Sequence, residues 1–472
     1  MAQPPIRVRL RPVVPHRLAA PRAARCLLFL VSSLGGCATY EYEAAPIDTS
    51  QILSSLQGRR WHDDLGAASV SSDGPRPRQL VAFAVMHNPW LVSARTQIGV
   101  AKSLLLEAGL LANPQIGWGA MDAIASQVID SDHSTLDVAT GLGFSMTLPR
   151  PGELDAKEGA ARWRVEEARR QLSLAEWTLA RDVLVACENV FEAEQLLLQN
   201  DDVIELADAT REYFERARSA GAATAIQANL AAGDLLTIRS LRLSLTSRLR
   251  EARQSLNSLL GLPPNVEVGV VAGDPPAEFL AETEDEGLDA VVDRALSLRP
   301  DLAVLLASYQ AAEDDLRLAI ARQAPQFAVG TGLWITPGLF TENNRRAVET
   351  AMARRAELRA DVEAAVHELR RDLFDTYAER EEAKQQLGFL EQELLPNAEE
   401  SLRLAGEAFD AGEVTPLEIL ILQRVLVDAR TATTESRAEL QRRNLRLLAA
   451  SGGLLSAPST ETEPTLVKEL DR

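Results

Sequence analysis

The chain has 472 residues, of which 46 % are hydrophobic but only 5 % aromatic, and a formal net charge of −19. An acidic balance of that size excludes a partner recognised through its phosphates, nucleic acid above all. Ala, Leu, Arg and Glu dominate, a mixture suited to long helices packed through small residues rather than to a bulky globular core.

The first elements are read as targeting signals. Arg7, Arg9, Arg11, Arg17, Arg22 and Arg25 precede the apolar run Cys26–Val31, which is too short to span a bilayer as a helix. Leu34-Gly35-Gly36-Cys37 follows and resembles a bacterial lipobox, so residues 1–36 are expected to be a lipoprotein signal peptide and Cys37 the lipidated residue. Ala38 stands where a retention Asp for the inner membrane would be, which favours an outer-membrane address. Losing six Arg and no acid takes the charge from −19 to −25. With Cys26 removed and Cys37 acylated, Cys187 is left alone and no intramolecular disulfide is expected.

Residues 37–78, polar with scattered Gly and Pro, are expected to form an extended, lipid-anchored tether. From Gln79 to Ala112 the pattern is helical, broken at Asn88-Pro89 and ended by Pro114. Residues 137–149 alternate large apolar with small residues, the pattern of a strand with unlike faces, and Ile116, Trp118 and Ala120 begin a partner strand. From about Asp155 to Ser219 no proline intervenes. Two stripes repeat every seven residues, one through Trp177, Leu184, Phe191 and Leu198, the other through Leu172, Leu179, Ala186 and Ala193. Two separated seams predict a helix with a neighbour on each side. Ala220-Gly221 ends it, and a returning helix runs from Ala225 to Leu260, closing the repeat of residues 79–263 at Gly261.

Residues 264–287 read as an acidic linker, and residues 288–455 then repeat the plan. Pro89/Pro300, Ala101/Ala312, Ala108/Ala319 and Pro114/Pro325 share an offset of 211; Gly221/Gly412 and Gly261/Gly452 share one of 191. The chain is a tandem duplication. Pro396 is expected to kink the second long helix, and residues 456–472 to form a polar tail. The strand region differs. Pro114 to Pro149 spans 35 residues but Pro325 to Pro337 only 12, enough at ~3.3 Å per residue for one membrane crossing of about 40 Å and no return. The alternation at Phe327, Val329, Thr331, Leu333 and Ile335 therefore predicts one surviving strand.

Leu298-Arg299-Pro300-Asp301-Leu302, the run from Ala311-Ala312 to Pro325, Thr336-Pro337-Gly338-Leu339-Phe340 and the glycine turns together resemble the outer-membrane efflux protein (TolC-like) family over about residues 80–455. The resemblance implies a mainly α fold with a small transmembrane β part: a homotrimer with an α-barrel tunnel and an outer-membrane β-barrel. Its implied partners are a periplasmic membrane-fusion adaptor and an inner-membrane pump of the resistance-nodulation-division type. It implies a passive exit duct for small molecules or metal ions, a type I secretion duct being the alternative. The shortened strands keep a third reading open, a non-conducting helical scaffold. Gly221 and Gly412 become helix-tip turns at the periplasmic mouth, and Glu418, with Ile421 three residues on, occupies a position where relatives ring that mouth with acids. Glu418 is thus either a constriction residue or a solvated helix-face glutamate. The five His are dispersed and the Gly-x-Gly pairs lie in strands, so neither a metal site nor a phosphate cradle, and no enzyme or cofactor beyond the lipid, is expected.

Overall fold

The structure, a computed structural model, describes residues 45–59, 74–121, 139–271, 288–330, 333–336, 342–410 and 413–455. Cys37, Gly412 and the tail 456–472 lie outside them. The tether is not wholly extended: Thr49–Gln57 is a short helix, α1.

The first repeat runs α2 (Pro77–His87), α3 (Pro89–Ala108), β1 (Gln115–Met121), β2 (Ala139–Thr147), α4 (Glu153–Ser219) and α5 (Ala225–Leu260). The second runs α6 (Leu288–Leu298), α7 (Pro300–Ala321), β3 (Gln326–Gly330), β4 (Leu333–Thr336), α8 (Glu342–Phe389), a π turn (Leu390–Leu394), α9 (Leu395–Asp410) and α10 (Pro416–Ala450). The expected kink site is the π turn, in which Leu395 N–H reaches back five residues to Leu390 O, just ahead of Pro396. A proline has no N–H and crowds the carbonyl four residues back, so the helix widens for one turn.

Each repeat is closed at its root by a matching bond. Asn88 stands before Pro89 in extended backbone, as a residue before proline prefers. Its side chain caps Trp90 N at 2.9 Å and donates to Leu259 O at 2.9 Å, in the last turn of α5. At the duplicate position, Arg299 donates to Ala450 O at 3.5 Å, in the last turn of α10, and its guanidinium also binds Asp301 at 2.7 Å and Asp372 at 3.0 Å. The glycine that follows each returning helix is left-handed, φ 68° at Gly261 and 79° at Gly452. A Cβ on Gly452 would stand 2.7 Å from Leu298 Cβ, and one on Gly261 3.2 Å from Pro89 Cδ. Only glycine fits either place.

α4 is 67 residues long, on the order of 100 Å at ~1.5 Å per residue. Glu153 and Asp155 in its first turn and Arg216 and Arg218 in its last complement the helix dipole. Of its predicted stripes, Leu179, Ala186 and Ala193 enter the main core with Leu80, Phe83, Val183, Val190, Leu256 and Leu260. The other stripe is covered only at Trp177; Leu184 and Phe191 are half-buried and Leu198 is 59 % exposed. Val268 and Val270 also enter this core, so residues 264–271, read as linker, are packed.

The four strands form one antiparallel sheet in the order β1-β2-β3-β4. This corrects the single-strand expectation: residues 326–336 hold two short strands, and the chain reverses between Gly330 and Leu333. Their register is that of the first hairpin. Gln115↔Ser145, Ile116↔Phe144, Gly117↔Gly143 and Trp118↔Leu142 become Gln326↔Thr336, Phe327↔Ile335, Ala328↔Trp334 and Val329↔Leu333 at the same two offsets.

Candidate functional site: helix tips, buried charges and an uncovered helix

At the tip of the first hairpin Ala220 and Gly221 end α4. Ala222 N bonds Ala217 O at 2.8 Å, closing a Schellman turn around Gly221, whose φ is 74°. Glu413 N bonds Ala408 O at 2.9 Å at the duplicate positions, so the second tip keeps the same bond. Each returning helix then opens with a capping box, Thr224 with Gln227 and Thr415 with Glu418. Glu418 is fully committed to this cap. Its carboxylate accepts from Thr415 N and Oγ1, both at 2.7 Å, and the backbone bond above all holds its pKa below the usual glutamate value. Next to it, Leu417 and Ile421 are 44 % and 55 % exposed; their duplicates Ile226 and Leu230 are likewise exposed, at 72 % and 50 %.

The tips touch across the repeats through residues that the sequence reading did not single out. Tyr213 on α4 meets Phe409 on α9 edge-on at 5.7 Å. Leu420 packs on Phe214, Ala228 and Ala231. Arg424 on α10 pairs with Asp234 on α5 at 3.3 Å, and Thr210 Oγ1 on α4 reaches Gln423 Oε1 at 3.5 Å. Higher up, Glu192 on α4 is 3 % exposed and receives Arg248 of α5 and Arg442 of α10, each at 2.7 Å. Glu188, one turn earlier, is pushed up to about 7 by burial against the pull of Arg442, with Glu192 raising it further. Near by, α4, α5, α8 and α10 line an open cavity of about 600 Å³, walled in part by Trp177, Arg181, Asp372 and Arg446.

The third feature is an inequality between duplicates. α7 lies between α4 and α8 and buries Leu302, Ala307, Ala311, Ala312, Asp314, Leu316 and Ala319. Gly159 of α4 meets it closely: a Cβ there would stand 2.6 Å from Asp314 Oδ2. Its duplicate α3 packs along α4 and buries only Leu91 and Ala108, while Trp90, Val100, Leu104 and Leu106 are exposed at 69, 61, 54 and 75 %.

Among the described residues no group of His, Cys, Asp and Glu has metal-holding geometry, and no helix is long and apolar enough to cross a membrane. Cys187 is buried and its thiol is pushed up to about 12, so it is no nucleophile at neutral pH.

Residues 330–453 match the family described as "Outer membrane efflux protein". No curated protein matches the sequence at a significant level. Among solved structures the fold is similar to that of the outer membrane protein VceC of Vibrio cholerae, at 17 % identity and a TM-score of 0.65, covering 80 % of this chain and 96 % of that one. It is also similar to the MtrE outer membrane channel of Neisseria gonorrhoeae, at 19 % identity, TM-score 0.65 and 82 % and 94 % coverage. The CmeC outer membrane channel of Campylobacter jejuni gives 13 % identity, TM-score 0.65 and 88 % and 93 % coverage. These likenesses, all below 25 % identity, are of fold.

Proposed function

Taking the chain as a member of the outer membrane efflux protein family, we propose that it is a homotrimeric exit duct of a tripartite efflux system, anchored in the outer membrane through lipid on Cys37. The observation that carries this is the uncovered flank of α3. Inside the chain, the second neighbour of α7 is α8. Repeating that relation places α8 of another copy against Trp90, Val100, Leu104 and Leu106, and three copies then close a ring of six helical hairpins. Burying four large apolar side chains contributes on the order of 1.5–3 kcal/mol each. The sheet supports the same assembly, because among the described residues β1 and β4 both present open edges, which hydrocarbon does not tolerate.

The duct is passive. A membrane-fusion adaptor would meet the periplasmic tips, where Ile226, Leu230, Leu417 and Ile421 are exposed, and an inner-membrane pump of the resistance-nodulation-division type would supply the energy and select small molecules or metal ions. Opening would part the Tyr213–Phe409 and Arg424–Asp234 contacts about the turns at Gly221 and Gly412. Three copies of Glu418 would form an acidic ring there that favours cations, with each carboxylate already engaged in its own cap. Heat-resistant trimers in detergent that conduct in planar bilayers are expected. Monomers without conductance would instead favour the second reading, a periplasmic helical scaffold, which the brevity of β3 and β4 supports.

A further inference from the structure

The open cavity between the two helical hairpins has a lining that follows the duplication. Arg181 and Asp372 stand 191 residues apart, as do Val185 and Thr376, so α4 and α8 supply it from like positions. The returning helices do the same, α5 with Ser255 and Leu259, α10 with their duplicates Arg446 and Ala450. In a ring of like hairpins, duplicates are related by rotation about the axis of the ring. Pairs that point around the ring fall into different seams, and pairs that point outward diverge. Only pairs that point toward the axis converge on one space, so this cavity belongs to the inner wall of the ring. Among the described residues, none from α2 or from 264–271, the layer packed over the first hairpin, lines it.

The chemistry of the lining selects an anion. Asp182 already accepts from Arg181 at 2.8 Å, and Asp372 from Arg299 at 3.0 Å, so both acids of the wall are answered within the chain. Arg446 is held more loosely, 3.7 Å from a Glu379 oxygen that Arg443 also binds, and its side chain is 50 % exposed. A guanidinium has five N–H donors in a planar fork, so Arg446 has donors to spare for a carboxylate or sulfonate. The rest of the wall is apolar, with Trp177, Val185, Leu259 and Ala449. A convergent cation on an apolar wall, around about 600 Å³, is the make-up of a small-molecule site.

Resting on the trimeric duct reading, we propose that this cavity opens on the lumen and is a resting site, one in each chain, for transported aromatic anions. Arg446 binds the charged group, and Val185, Leu259 and Ala449 hold the ring. The acidic ring of Glu418 does not oppose it. Val185 lies about 50 Å along α4 from Ser219, at ~1.5 Å per residue. That is several screening lengths from the tips at physiological salt. The site consumes no energy, so the duct remains passive.

Two measurements test this. Titration calorimetry of the protein in nanodiscs, with empty nanodiscs as the blank, is expected to show one 2-naphthalenesulfonate bound per chain and no binding of 1-naphthylmethylammonium. Arg446→Gln is expected to weaken the sulfonate at least about tenfold, and Arg446→Lys less. Arg430→Gln, on the same helix but outside the cavity, should leave it unchanged. A conducting trimer that binds no sulfonate, or binds both ions alike, overturns the site and leaves the duct standing. In planar bilayers, Ser255→Cys in a Cys187→Ala chain is then treated with 2-sulfonatoethyl methanethiosulfonate. Conductance is expected to fall in steps as the lumen-facing thiols react. Unchanged conductance, with modification confirmed by mass, overturns the place on the inner wall. A protein that binds the sulfonate through Arg446 but never conducts overturns the duct reading, and with it the role of the site in transport.

Discussion

The helical hairpins and the strand hairpins of the two repeats were copied from the same template and have fared differently. At the helix roots and tips, positions 191 or 211 apart still make the same bonds: Asn88 to Leu259 O and Arg299 to Ala450 O, or Ala222 N to Ala217 O and Glu413 N to Ala408 O. In the sheet one copy has been reduced to its base. The contrast teaches where the fold is constrained. A helix in this bundle is held on several sides, and changing its length by one residue turns every later side chain by about 100°. A hairpin is held only by its rungs.

Substitutions can break that comparison, and the largest effect is expected where the repeats are tied together by charge. Glu192→Ala leaves Arg442 without its buried carboxylate and is expected to destabilise by about 3 kcal/mol, read as a lower denaturation midpoint by helical circular dichroism in detergent. Next come the two root glycines, where the copies should differ in degree. Gly452→Ala meets both a left-handed backbone and Leu298 Cβ, and is expected to cost about 2–3 kcal/mol. Gly261→Ala, with the looser 3.2 Å contact, should cost about 1–2 kcal/mol; the reverse order in thermal melts would contradict the packing described.

A pH comparison sharpens the role of the same charge cluster. Burial raises Glu188 from 4.5 to about 7, so the fold favours its protonated form. Its cost is absent below the unfolded pKa and grows as pH rises through the folded one. Glu188→Gln should therefore leave stability at pH 4 unchanged and raise it at pH 8 by about 1 kcal/mol, after allowance for partial exposure. A gain confined to acid pH would be the wrong sign.

The smallest effect belongs to the tips. Gln227 already does in the first repeat what Glu418 does in the second, so Glu418→Gln should change stability by less than about 0.5 kcal/mol. Any loss of cation preference in single-channel recordings would then come from the acidic ring and not from a weakened helix.

What was legible in the sequence follows from these constraints. Prolines and glycines marked the turns because each needs a special backbone, so the roots, the tips and the break before Pro396 could be placed from residue type alone. The one-strand reading of residues 326–336 failed because alternation continues through Gly330-Thr331-Gly332, and period alone does not register a reversal. The segment around Val268 and Val270 was read as linker because the acids beyond it dominate the composition. Contacts such as Glu192 with Arg442, 250 residues apart, or Tyr213 with Phe409 leave no periodic trace. Glu418 drew notice for its charge, whereas its position three residues after Thr415 announces a cap.

The shared register of the two hairpins has a consequence for how such a chain can evolve. The offset falls from 211 before the sheet to 191 after it, and pairing at the base is undisturbed on both sides of that change. Twenty residues have therefore gone from the tip in matched numbers from each strand, as rungs are taken from the top of a ladder. Because the loss is even, every remaining residue keeps its inward or outward sense. Hairpin length is thus a trait this architecture can shorten or lengthen two residues at a time, while the helices on either side keep their length.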